Sequence, residues 1–255
     1  MSLSIRHSIQ WLETEPQESE STSTIVITSP LGKYVDIRKL KNIQNFSNQF
    51  DWFFAGYEIE HSSTIIEFNH EFLDSKLITY YLMHNGNTEN FKIESDIGHF
   101  SDPIDENERN AGIRLETGKM INPLTNQLEK YQEKWITVDS TLGPQCKFIG
   151  NKLIDNNCIV LDTVSNIDIG RIILLNSWIQ GIFWRKDIIS NEIVDNVGVL
   201  RCFKDENLIE FGKFIDYLPH YEQLLKIGKN LNIYDTCMIN NVEWKVVEKC
   251  GEFNI

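Results

Sequence analysis

The residues able to do chemistry are scattered along this chain instead of being gathered into a motif. Five cysteines stand at Cys146, Cys158, Cys202, Cys237 and Cys250, an odd number with no Cys-x-x-Cys pair and no histidine at zinc-finger spacing. Free thiols, buried or half-buried, are the expected state. The six histidines, His7, His61, His70, His84, His99 and His220, stand apart from one another, which suits strand-face or surface positions better than metal ligation. Asp105-x-Asn107-x-Arg109 followed by Glu116 grazes a calcium-loop pattern. Arg109, however, occupies a place that needs an oxygen ligand, and Asn110 one that needs glycine. Glu58 and Glu60 share a strand face, where solvation accounts for them without an acid–base role. Gly-x-Ser-x-Gly, His-Glu-x-x-His and a Gly-rich phosphate loop do not occur. The expectation is a non-enzymatic protein with no catalytic residues, cofactor or metal.

Composition narrows the partners. The 255 residues are 41% hydrophobic and 11% aromatic, as a folded chain with a real core requires. A net charge of −13 argues against nucleic acid, which needs a basic stripe, and against an anionic membrane surface. The acidic excess is concentrated in residues 1–140, which would steer a basic partner toward that half. No apolar run reaches the length of a membrane span, so no membrane insertion is expected. The opening residues, MSLSIRHSIQWLETEP, lack a signal-peptide pattern, so an intracellular location is expected.

The elements that must position these residues are strands. Arg171–Ile189 is the most apolar run, and its centre, Trp178–Trp184, is rich in aromatic and β-branched residues. Alternation puts Trp178, Gln180, Ile182 and Trp184 on one face and Ile179 and Phe183 on the other, with Gly181 permitting a bulge or bend. Phe50–Tyr57 is its counterpart in the first half. Short strands are expected at Ser2–Leu12, Thr24–Thr28, Lys33–Leu40, Thr64–Phe72, Leu77–His84, Phe91–Ile97, Ile113–Met120 and Gln127–Val138. Beyond a boundary at Asp139–Gln145 come Cys158–Val164, Ile169–Leu175, Trp178–Ile188, Ile193–Phe203, Leu208–Phe214, and a hairpin of Cys237–Ile239 and Val242–Glu248. Glu13–Thr24 reads as a mobile polar loop, Ser101–Asn110 as an acidic loop and Asn42–Gln49 as a polar connection. Pro219–Gly228 is the one short helix. The pattern predicts an all-β fold of two antiparallel β-barrels, residues 1–140 and 141–255.

Particular stretches carry a resemblance. Phe50-Asp-Trp-Phe-Phe-Ala-Gly56, Phe72-Leu-Asp-Ser75, Glu116-Thr-Gly118 and Lys134-Trp-Ile-Thr-Val-Asp139 resemble the first half of a small fungal family of casein-kinase-interacting proteins, the HRI type of budding yeast. Trp178-Ile-Gln-Gly-Ile-Phe183, Phe211-Gly-Lys213 with Leu218-Pro219, and Val242–Glu248 resemble its second half, in the same order. The resemblance implies two calycin or lipocalin-like barrels, a cytoplasmic and nuclear location, and association with a casein kinase I homologue. It further implies a link to the protein-translocation machinery. It carries over no catalytic residue.

Two sites are expected from these readings. Casein kinase I-type enzymes, as the resemblance implies, read an acidic or phosphorylated residue three positions before the target. Glu18 so precedes Ser21, Glu20 precedes Ser23, and Ser21 precedes Thr24; Ser21, Ser23 and Thr24 are the candidate phosphorylation sites, each adding roughly −1.5 to −2 charges. Inside the barrels, Trp52, Phe54, Trp178, Ile182 and Trp184 are expected to fill the interior, the alternative being a cavity for one small hydrophobic ligand, as in a lipocalin-like carrier.

Overall fold

Extended segments with alternating side chains account for most of the chain. The computed structural model describes residues 1–43, 49–144, 157–187, 190 and 192–253. The first half supplies β1 (Ser2–Trp11), β2 (Thr22–Thr28), β3 (Lys33–Leu40), β4 (Phe50–Ser62), β5 (Ile65–Asp74), β6 (Asp96–Ser101), β7 (Ile113–Asn122) and β8 (Gln127–Thr137). Each pairs antiparallel with the next, and β1 pairs with β8, so the sheet closes into an eight-stranded barrel without edges. Register shifts at Arg6/Ser8, Arg38/Lys39 and Ala55/Tyr57 supply the curvature. Gly56 lies at the last of these, where a Cβ would stand 1.7 Å from the Asn69 carbonyl oxygen.

The second half builds β9 (Cys158–Thr163), β10 (Asp168–Leu175), β11 (Trp178–Arg185), β12 (Val197–Phe203), β13 (Glu206–Phe211), β14 (Thr236–Ile239) and β15 (Val242–Cys250). They form one sheet in the order β13-β12-β11-β10-β9-β15-β14. This sheet is open, which corrects the expectation of a second barrel. Closure is unnecessary because both of its faces are already covered. One face, with Val160, Ile173, Trp178, Ile182 and Trp184, packs in a single core with Leu3, Ile27, Val35, Ile37 and Ala55. The other, with Ile159, Leu174, Ile179, Phe183 and Trp244, packs with Leu224 of a helix at Tyr221–Asn230. The halves therefore share their largest core. Polar bonds cross the same junction: Gln180 Nε2 donates to the Ile25 and Val35 carbonyls (3.0 and 2.9 Å), and Arg171 to that of Gly56 (2.6 Å).

The expected split of Trp178, Gln180, Ile182 and Trp184 from Ile179 and Phe183 is present, but the role expected of Gly181 is not. β11 runs through it in unbroken register on both sides. The glycine makes room instead, since a Cβ would meet Ile172 at 2.9 Å and Leu218 at 3.0 Å. Leu77–His84 is a second correction, because it is helical: α1 spans Ser75–Met83. Asp74 caps it by accepting from the Lys76 N–H (2.6 Å), and Ile78 and Leu82, one turn apart, are buried. Two shorter departures follow in the same region. The strand expected at Phe91–Ile97 begins only at Asp96, and the acidic loop ends in α2 (Glu106–Asn110), capped by Asp105. The expected Pro219–Gly228 helix is α3 (Tyr221–Asn230). Cys146, Ile188 and most of the 42–49 connection lie outside the described residues. No helix among the described residues is long and apolar enough to cross a membrane.

Candidate functional site

With Val35, Ile37 and Ala55 turned outward against the second sheet, alternation sends their neighbours inward. The inward residues are largely polar. Tyr34, Asp36 and Arg38 of β3, Glu116 of β7, and Tyr131, Glu133 and Trp135 of β8 line the interior with Val26, Phe54, Phe68, Asp96 and Met120. Arg6 of β1 joins them through Glu133 (2.5 Å) and Glu20 (2.8 Å). Arg38 holds Asp36 at 2.9 Å, and its guanidinium lies over the rings of Trp52 and Phe54 at 5.1 and 5.2 Å. Beside them Asp74 accepts from Trp52 Nε1 (2.9 Å) and lies 2.7 Å from His70 Nδ1. The barrel is thus filled by charge pairs and aromatic rings, and its apolar band faces out.

Burial pulls on the cation and on the carboxyls of this lining in opposite directions. Burial works against the charge of Arg38, but Asp36 and Glu133 outweigh it and raise its pKa. Burial also raises Asp36, despite Arg38, and Asp96, despite His70. Glu116 is pushed up to about 8, by burial first and then by the Glu133 carboxylate. It is therefore mostly protonated at neutral pH. Tyr131 donates to Glu116 Oε1 (2.8 Å), and Gly98 and Gly118 leave the room this pair needs. A Cβ at Gly98 would stand 2.7 Å from Glu116 Oε1, and one at Gly118 2.6 Å from the Tyr131 hydroxyl.

Two buried polar atoms of this lining have no protein partner: Asp36 Oδ1 and Trp135 Nε1. Both residues border an inner cavity of about 40 Å³. It adjoins a mouth of about 260 Å³ that shares Val26, Phe68, Glu116 and Trp135 with it and adds Ile66, Phe100, Arg114, Glu58 and Glu60. Arg114 is exposed there, its guanidinium 4.9 Å from the centre of the Phe100 ring. The arrangement provides an N–H donor, a protonated carboxyl and a carboxylate acceptor at the bottom of an aromatic funnel.

The sequence matches the family described as Protein HRI1 over residues 2–248. The chain belongs to the HRI1 family. A Protein HRI1 from Kluyveromyces lactis is 25% identical over 244 residues, covering 90% of this chain and 91% of its own. The crystal structure of an uncharacterized protein from Saccharomyces cerevisiae has a TM-score of 0.75 at 21% identity, covering 98% of this chain and 99% of that one. That likeness is one of fold, over nearly the whole length of both chains.

In this HRI1-family chain the residues singled out from sequence fall in three places. Trp52 and Phe54 lie inside the barrel, their ring centroids 4.1 Å apart and the planes tilted by 36°. Trp178, Ile182 and Trp184 lie in the junction between barrel and sheet instead, because the second sheet encloses no interior. Ser21, just before β2, and Ser23, its second residue, are exposed, whereas Thr24 is 1% exposed and bonded to Thr22 within the wall. Glu13–Thr24, expected to be mobile, is pinned: Ser19 bridges Ile9, and Glu18 holds Ser8 and Lys134, both at 2.8 Å. Glu20 is held below its ordinary pKa by Arg6 and Thr22 against the opposing effect of burial. Sequence reasoning missed Asp36, Arg38, Glu116, Tyr131, Glu133 and Trp135. Their signal was present as the i, i+2 runs Tyr34-x-Asp36-x-Arg38 and Tyr131-x-Glu133-x-Trp135, which on an ordinary sheet denote a solvent face.

Proposed function

We propose that this chain is a non-catalytic binding protein whose barrel takes one small amphipathic molecule. The supporting observation is the pair of buried, unpartnered atoms, Trp135 Nε1 and Asp36 Oδ1, on residues lining a cavity that shares part of its wall with an open mouth. Leaving either without a partner costs about 1–3 kcal/mol, which a ligand with matching groups recovers. The mouth and inner cavity together lie near the lower end of the roughly 300–1,000 Å³ typical of ligand pockets. The ligand is accordingly small, with an aromatic or aliphatic body between Phe68, Phe100 and Trp135.

Its head is an uncharged group carrying both an acceptor and an N–H or O–H donor. Arg6 and Arg38 are already committed to Glu133 and Asp36, and the free Asp36 Oδ1 asks for a donor that an anionic head lacks, so fatty acids are poor ligands. Hydrocinnamide and hydrocinnamate, the same body with an amide or a carboxylate, separate these cases by calorimetric titration. The amide should bind saturably with one site per chain, more weakly to Trp135→Phe, and the carboxylate at least tenfold more weakly at neutral pH. Absence of saturable binding by the amide, or equal binding by the acid, sinks the proposal.

A second reading concerns the outer surface. Ser21 and Ser23 are exposed beside acidic residues, which supports a chain that a casein kinase I-type kinase meets as partner and substrate in cytoplasm and nucleus. The translocation-machinery link rests on the family resemblance alone. Phosphosite mapping after incubation with such a kinase tests this reading; Ser21 should be modified first, because Ser23 already accepts from Arg201 through its carbonyl (3.0 Å) and hydroxyl (3.3 Å). Unmodified Ser21 and Ser23 would remove it.

A further inference from the structure

The second sheet begins and ends on a cysteine. Cys158 is the first residue of β9 and Cys250 the last of β15. These antiparallel strands are hydrogen-bonded neighbours, and their register sets the two cysteines directly opposite one another. Opposed residues on such strands have Cα atoms about 4.5–5.5 Å apart, inside the range a disulfide spans. The side chains already meet, the thiols sharing a hydrogen bond.

The two positions differ as an attacking and a resolving thiol must. Cys158 is wholly buried, whereas Cys250 is half-buried and borders a shallow surface depression with Ile233, Tyr234 and Lys249. The hydrogen bond from Cys158 stabilises the Cys250 thiolate and brings its pKa down to about 7, against the opposing effect of burial. Burial and the same bond keep Cys158 protonated well above its ordinary value.

We propose that Cys158 and Cys250 are a redox-responsive pair that a hydroperoxide converts to a disulfide, joining the first residue of the second sheet to its last. The Cys250 thiolate attacks one peroxide oxygen and the O–O bond breaks. This leaves a sulfenic acid on Cys250 and releases hydroxide or alkoxide, which takes up a proton. The Cys158 sulfur then attacks the Cys250 sulfur; the S–S bond forms, the S–O bond breaks, and the hydroxyl leaves with the Cys158 proton as water. Two thiols and one hydroperoxide thus give a disulfide, water and either water or an alcohol.

The site sits between two anchors. Two residues before Cys250, Glu248 accepts from Ser29 Oγ (2.6 Å) and the Leu31 N–H (2.8 Å), both in the barrel's β2–β3 turn. Three residues after it, Phe253 packs with Leu224 of α3 in the outer core. A bond at Cys250 therefore stiffens the end of the strand that clamps sheet to barrel, and it closes a loop containing every strand of that sheet.

The test treats the intact protein with one equivalent of hydrogen peroxide and maps its peptides without reduction. The expected result is a Cys158–Cys250 cross-linked peptide with Cys202 and Cys237 still alkylatable, and a thermal midpoint raised by several degrees (about 4 °C or more) that a dithiol reverses. Cys158→Ser should stop cross-linking and leave a dione-trappable sulfenic acid on Cys250. Cys250→Ser, at the half-buried position, should abolish both the cross-link and the thermal shift. Retention of both thiols, a bond to Cys146 in place of this one, or a lowered midpoint on oxidation would overturn the proposal.

Discussion

At the scale of residues, Glu116 carries the clearest consequence. A carboxyl whose native pKa lies above its unfolded value keeps a proton that the unfolded chain has released, so it subtracts stability as pH rises between the two. Its native value of about 8, against an ordinary 4.5, places that window between those two pH values. Glu116→Gln preserves the acceptor for Tyr131 and removes the loss. The variant should gain on the parent as pH rises through the window, reaching on the order of 1–3 kcal/mol at its upper end. Urea denaturation at stepped pH measures this, and parallel curves would mean that the carboxyl is ionised in the folded barrel. This part of the site was only half legible. Trp52 and Phe54 announced themselves as interior by size. Asp36, Arg38 and Glu133 did not, because charge alternating with apolar residues looks like a solvated face until the apolar side is known to be covered.

At the scale of elements, the strands were legible where β-branched and aromatic residues dominate and opaque where one polar side chain decides. Asp74 is that side chain for α1. It receives the Lys76 N–H and the Trp52 indole, and it faces His70. Nothing local in Ser75–Met83 outweighs its aromatic and β-branched strand character, so the sequence read as a strand. Asp74→Ala should cost about 2–4 kcal/mol in urea denaturation, more than a helix cap alone, because it also strips a buried indole of its acceptor. A loss near that of a simple cap would show the Trp52 bond to be dispensable. Gly181 offers the converse case: Gly181→Ala adds a methyl against Ile172 and Leu218 and should cost about 1–3 kcal/mol. A neutral effect would mean that this contact yields readily.

At the scale of the whole molecule, the repeated Trp- and Gly-bearing strands of the two halves suggested two closed shells, but sequence does not say what covers a sheet. The open second sheet buries Trp178, Ile182 and Trp184 against the barrel, so neither half completes its core alone. Unfolding should accordingly appear as one calorimetric transition, and two separated transitions would indicate independent units. The same packing turns the barrel's apolar band outward and its polar lining inward, the side on which we propose that a ligand binds. The most direct measurement is the indole N–H spectrum of the six tryptophans during titration with hydrocinnamide. The Trp135 resonance should shift saturably as its orphaned N–H gains an acceptor, while those of Trp178 and Trp244, buried in the cores, stay in place. Saturation with no change at Trp135 would contradict the account.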